Sequence, residues 1–356
     1  MRILHIMNHT KRLNGHVNAA VDLACAQAAL GHDVSIASGG GDFDHLLAKH
    51  SIEHIVINQR RRPLTLARAE LKIMKLIRHF DIVHAHMVTS AVLCWPACLL
   101  LRRPLITTVH NEFERSAILM GLGSRVIAVS GAVSLSMAKR GVPKSRLRTV
   151  LNGTAGSVRL AGPMGPPVDL GFPALLFVAG LHPRKGLPDL LYAFEIVTKT
   201  FPAAQLNILG EGPSRAEYEA LAARLHCAKS IVFHGGKDDP RPYFMASDIF
   251  VLPSLSEPAG LVLSEACEAG CAIVATDVGG IPEMLDDGRA GLLTPAHDPQ
   301  GMARAIMSLL DDAATLDSAK KAAKANICRL GLDRVTKDTL NVYAECLGSA
   351  VIALES

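Results

Sequence analysis

The sequence has 356 residues, 49% hydrophobic, 20% charged and only 4% aromatic; it can bury two cores, is too apolar to be disordered, and lacks the rings of a single-strand nucleic-acid platform. Its net charge of +4 is unevenly divided, with 20 Lys and Arg against 9 Asp and Glu in residues 1–152 and 17 against 24 in residues 153–356. A basic first half suits an anionic partner (phosphate groups, a polyanionic acceptor or the inner membrane face), or is an ordinary solvated surface.

The chain opens with a strand at residues 2–7, which turns polar at Asn8 before any long apolar run, so no secretory leader is expected. Short β-branched runs then recur at 33–37, 54–57, 81–85, 105–109, 125–129 and 147–151, with helical stretches at 16–30, 64–79 and 131–140 between them. Such alternation predicts a parallel sheet of βα units. The most apolar stretch, 88–101, is too short for a bilayer span and contains Pro96, so it reads as a buried helix. A Gly- and Pro-rich segment at 153–173 has no periodicity and reads as a linker. A second series of strands follows at 174–179, 205–209, 230–233, 248–252, 272–276 and 291–294, then helices at 299–311, 313–330 and 333–353. The expected fold is therefore α/β, with two Rossmann-like doubly wound domains, 1–152 and 174–332, facing a central cleft, where such sheets bind ligands.

The eight cysteines form no C-x-x-C pair and sit mostly in helical patterns, which fits a reducing compartment without disulfides or a zinc site. Asp42-Phe43-Asp44 has the spacing of a metal-binding D-x-D, but it follows three glycines and precedes Leu46-Leu47, the setting of helix-capping acids. No required metal or other cofactor is expected. Arg60-Arg61-Arg62 leads into a segment carrying Arg68, Lys72, Lys75 and Arg78, a face suited to anionic lipid or to an acceptor phosphate. The absence of G-x-G-x-x-G after the first strand argues against a dinucleotide-dependent oxidoreductase.

One run is more specific: Pro253-Ser254-Leu255-Ser256-Glu257-Pro258-Ala259-Gly260-Leu261-Val262-Leu263-Ser264-Glu265-Ala266. With Gly210-Glu211-Gly212-Pro213, the 274–283 segment, Asp81-Ile82-Val83-His84-Ala85-His86 and Thr108-Val109-His110, it resembles the retaining glycosyltransferases of family 4, which have the GT-B fold. The ordered matches cover nearly the whole chain. The resemblance implies transfer of a sugar from a UDP- or GDP-sugar to a hydroxyl of a saccharide or glycolipid acceptor, in bacterial surface polysaccharide or lipopolysaccharide assembly. It implies an acceptor-binding first domain, a donor-binding second domain and a last helix, 333–356, crossing back to the first. The protein is expected to be cytoplasmic, with peripheral membrane contact at the inner face and no nucleic-acid partner.

The residues suit those roles. Pro258 and Gly260 suggest a helix beginning near Ala259, placing Glu257 in the loop beyond a strand, at the ligand end of the sheet. In the family the first Glu of Glu-x7-Glu meets the transferred sugar, where it can stabilise positive charge developing at the anomeric carbon. The second, here Glu265, takes the ribose diol. Backbone N–H groups of Ala259, Gly260 and Leu261 can bind phosphate. Lys185 matches the family's diphosphate lysine, but Gly180 stands where an arginine is usual, and Arg184 is the candidate substitute. Gly15, in the loop opening the first helix, lets backbone approach the donor, and His110 matches a histidine that contacts the donor sugar. Gly180 also motivates a second reading, a nucleotide-sugar-binding protein with weak or no transferase activity.

Overall fold

The computed structural model describes residues 1–12, 14–59, 62–166 and 168–348. It divides into two compact units, residues 1–161 with 331–356, and residues 162–330. Arg60 and Arg61 of the basic run and the last five residues of the expected helix 333–353 lie outside the described residues.

Among its described residues unit 1 contains seven strands: β1 (Arg2–Ile6), β2 (Asp33–Ser38), β3 (Glu53–Val56), β4 (Ile82–Ala85), β5 (Leu105–Val109), β6 (Arg125–Ala128) and β7 (Leu147–Thr149). They form one parallel sheet in the order β3-β2-β1-β4-β5-β6-β7. Every residue of β4 and β5 is buried, as expected for a parallel sheet covered on both faces. The order reverses between β1 and β4, and a doubly wound sheet opens its ligand crevice at such a point. The helix Leu332–Leu347 belongs to this unit. It packs on the helix Gly15–Ala29, sinking Val335, Leu340, Val342 and Tyr343 into the core with Ile3, Val17, Val21 and Ile82.

Unit 2 repeats the plan with β8 (Ala174–Val178), β9 (Gln205–Leu209), β10 (Ile231–Gly235), β11 (Ile249–Leu252), β12 (Ala272–Thr276) and β13 (Leu292–Thr294). All pairings are parallel, in the order β10-β9-β8-β11-β12-β13, reversing between β8 and β11. Phe177, Phe194, Leu206, Ile249 and Val274 anchor its core.

Four sequence expectations need correction. The helix Val88–Leu100 is not buried all round: Val92, Trp95, Leu99 and Leu100, spaced to share one face, are exposed. The helix expected over 313–330 breaks at Asn326, whose Nδ2 donates to the Met284 carbonyl at 2.8 Å, leaving Ala313–Ala325 and Ile327–Leu330. The Glu-x7-Glu helix starts at Val262, not Ala259, because Gly260 takes φ +35°, which a right-handed helix does not accommodate. Finally, neither Asp42 nor Asp44 caps a helix through its side chain. Asp42 accepts the Arg12 N–H at 2.9 Å, and Asp44 bonds His54 Nδ1 at 2.6 Å.

Candidate active site

In unit 2 the loops after β8 and β11 lie side by side at the switch point. Gly186 has φ +65°, and a Cβ there would collide with the Pro253 carbonyl, so only glycine lets these loops approach so closely. The Leu255 N–H donates to the Arg184 carbonyl at 2.8 Å, and Thr276 Oγ1 donates to the Ser254 carbonyl at 2.5 Å. These bonds fix the backbone on which Lys185 and Glu257 stand.

The two side chains meet. Lys185 Nζ donates to Glu257 Oε2, and Ser254 Oγ donates to the same oxygen at 3.2 Å. Glu257 is only 8% exposed, so its charge needs these partners. The Glu257 carbonyl accepts the Gly280 N–H at 2.9 Å, tying the loop to the segment after β12. The result is a rigid carboxylate and a lysine that shares its charge with it. Ser254 was not singled out from the sequence, although its position three residues before Glu257 is a readable signal.

Beyond Glu257 the chain runs through buried Ala259 and Gly260 to Leu261, which caps the helix Val262–Ala269. Among the described residues the N–H groups of Ala259, Gly260 and Leu261 have no hydrogen-bond partner. They sit at the positive end of the helix dipole, a setting that attracts an anion. Glu265, partly buried, is in the first turn of that helix. Arg184 is exposed. Gly180 is exposed as well, and a Cβ built on it meets only ordinary contacts, 3.4 Å or more away.

In unit 1, His110 directly follows β5 and lines a pocket of about 280 Å3 with Asn8, His9, His16 and Glu114. Gly15 is the first residue of the helix Gly15–Ala29 and is exposed. Within the same first turn, His16 Nε2 and Asn18 Oδ1 are buried without a partner among the described residues, as is Thr10 Oγ1 in the preceding loop. Of these, His16 lines the pocket, and an orphaned polar atom there is what an incoming polar ligand satisfies. Burial, reinforced by His9, lowers His16 to about 4. Burial, reinforced by His16, lowers His110 to about 3, so both rings are neutral near pH 7. His16 was missed in the sequence because a histidine after Gly15 reads as a plain turn residue.

Two sequence profiles match the chain in tandem, one described as Glycosyltransferase Family 4 over residues 13–155 and one described as Glycosyl transferases group 1 over residues 166–326. The D-inositol 3-phosphate glycosyltransferase of Streptomyces avermitilis is 27% identical over 312 residues, covering 76% of this chain and 66% of the relative. The chain thus spans just under two thirds of that relative's length. Among solved structures, Anabaena HepE in complex with UDP is similar at a TM-score of 0.82 and 22% identity, over 98% of this chain and 100% of its own. The lipopolysaccharide outer core galactosyltransferase WaaB is similar at a TM-score of 0.77 and 16% identity, over 97% and 99%. At those identities the two structures speak for the fold alone.

Proposed function

We propose, on the premise that this chain belongs to the family 4 type glycosyltransferases of the GT-B fold, that it transfers a sugar from a UDP- or GDP-sugar to a hydroxyl of a saccharide or glycolipid acceptor. The observation that carries this reading is the Lys185–Glu257 pair held beside the free N–H groups of 259–261. A nucleotide diphosphate brings the negative charge those N–H groups lack, and it competes with Glu257 for Lys185. Glu257, relieved of the lysine, faces the anomeric carbon as positive charge develops there. Glu265 accepts hydrogen bonds from the ribose diol, Gly15 admits donor phosphate to backbone, and His110 contacts the donor sugar. The family resemblance supports retention of configuration.

Diphosphate departure is stabilised here by Lys185, the helix start and Arg184, with no metal ion required. Asp42 accepts the Arg12 backbone N–H and Asp44 is engaged by His54. Activity insensitive to chelators is the corresponding outcome. The resemblance of the sequence motifs to family 4 is what supports a bacterial surface-glycan or lipopolysaccharide role. Work at the inner face of the cytoplasmic membrane has its own support. The exposed Trp95, Leu99 and Leu100 lie on a helix packed against Pro63–Ile77, whose Arg68, Lys72 and Lys75 are exposed, as is Arg78 at its C-cap. An apolar face beside a basic one suits anionic lipid. Among the described residues no helix is long and apolar enough to cross a membrane.

The test is a thermal-shift screen over UDP- and GDP-sugars, followed by product analysis with the best donor. A donor that stabilises the protein and yields a glycoside supports transfer. No stabilisation by any nucleotide sugar contradicts it. The second reading, donor binding without transfer, is favoured by Gly180 and requires stabilisation with no product.

A further inference from the structure

On one face at the end of the unit 1 sheet, polar groups recur at alternate positions of three neighbouring strands and the residues that follow them. His5 on β1 pairs in register with His84 on β4, and His86, Thr108 and His110 continue the same alternation. His5 is lowered to about 4 by burial, and burial with neighbouring histidines holds His84 and His86 well below the ordinary value. The rings form a continuous array, with centroids 5.2 Å apart for His5–His86, 4.1 Å for His84–His86 and 5.4 Å for His86–His110. One nitrogen from each of His5, His84 and His86 lies within 4.8 Å of the others, a metal-like grouping. Both nitrogens of each of these rings are, however, already hydrogen-bonded inside the protein.

Those bonds have a direction. His5 Nε2 lies 2.8 Å from Gln27 Oε1, which only accepts, so the His5 proton is on Nε2 and its Nδ1 is bare. That bare nitrogen accepts from His86 Nε2–H at 2.9 Å, leaving His86 Nδ1 to accept from His110 Nε2–H at 3.1 Å. From the other end of the amide, Gln27 Nε2–H donates to the Tyr343 oxygen at 3.3 Å. Tyr343 donates to His84 Nδ1 at 2.6 Å, and His84 Nε2–H donates to Thr108 Oγ1 at 2.6 Å. Each neutral imidazole has one proton, so every bond after Gln27 is determined by the one before it.

We propose that Gln27, His5 and His86 are positioning residues for His110: their chain holds the His110 proton on Nε2 and leaves Nδ1 bare, facing the pocket as an acceptor for a substrate hydroxyl. Among the described residues His110 Nδ1 has no partner, and its ring lines the pocket. The inference rests on the reading of His110 as a substrate contact. Gln27 sits on the helix Gly15–Ala29 and Tyr343 on the helix Leu332–Leu347. Both are fully buried and neither lines the pocket, so the orientation of one side-chain amide is transmitted to it through two rings.

The test is the tautomer itself. Long-range 15N–1H NMR of histidine-labelled protein at pH 7.5 should show His110 protonated at Nε2 and bare at Nδ1. Gln27→Met removes the acceptor that orders the chain; His110 then becomes a mixture of tautomers. Turnover of the donor sugar that gives a product with the parent falls about tenfold in kcat, the worth of one hydrogen bond, with KM changed less than twofold. His86→Asn places an amide oxygen where Nδ1 was and keeps both tautomer and kcat. His86→Leu, equally disruptive to packing, loses both. A wild-type His110 protonated on Nδ1, the polarity that a reversed Gln27 amide would impose, overturns the proposal. So does a Gln27→Met enzyme with unchanged tautomer and kcat while His110→Ala is inactive. A fully active His110→Ala would instead remove His110 from the substrate, leaving the tautomer result to stand alone.

Discussion

A carboxylate as buried as Glu257, sharing a lysine, has a charge balance that a diphosphate must redraw. Glu257→Gln keeps the shape and the Ser254 contact but removes the negative charge. Steady-state kinetics on this variant should show kcat lowered about 100-fold or more while UDP binds somewhat more tightly, because the charge matters most when positive charge develops and Lys185 no longer shares its charge with a carboxylate. Equal losses in kcat and UDP affinity would make Glu257 a binding residue only. Gly180 offers the opposite experiment. A side chain is admitted there without clash, so Gly180→Arg should raise kcat/KM for the donor about tenfold by restoring a second cation near the diphosphate. An unchanged or lower value would mean that Arg184 already fills the role or that the diphosphate lies elsewhere. Glu257, Glu265, Lys185 and His110 are candidates that the sequence offers through motifs resembling the family's. Gln27 and Tyr343 were not legible, because their meaning depends on which rings they touch from residues 22 and 259 positions away.

At the scale of elements, all thirteen strands were readable within one or two residues, since buried parallel strands are short apolar runs between turn signals. What escaped was decided by single backbone angles and by exposure. Gly260 delays the helix that carries Glu265 by three residues. The helix Val88–Leu100 is apolar on all sides, so its composition alone predicted burial, yet Trp95 is 41% exposed and Leu99 67%. If that face meets lipid beside the basic helix, a Trp95→Ser, Leu99→Ser double variant should sediment with phosphatidylglycerol vesicles several-fold less than the parent, with both proteins ignoring phosphatidylcholine. Equal sedimentation of the two would assign the face to another role.

At the scale of the whole molecule, ionisable burial is lopsided. His5, His84 and His86 are neutral in folded unit 1 and take up protons only when it opens. Their folded values are depressed below about 6.5, so the unfolded chain binds more protons. The stability they contribute is complete above about pH 6.5 and is lost as pH falls toward about 4, where His5 itself titrates. Three such groups steepen the loss to roughly 4 kcal/mol per pH unit in that window. Unit 2 has no comparable group of buried histidines among its described residues. Urea unfolding followed separately in each unit should therefore show unit 1 failing first as pH drops from 7 to 5. A parallel decline in both units would contradict this partition of buried charge.

The grip of unit 2 on a nucleoside diphosphate is what the proposed transfer requires first. Calorimetric titration of the full chain with UDP and with GDP should give one-to-one binding of at least one of them. Glu265→Ala should weaken that binding tenfold or more by removing the ribose partner. Wild-type binding of neither nucleotide, or the same affinity in Glu265→Ala as in the parent, would contradict it.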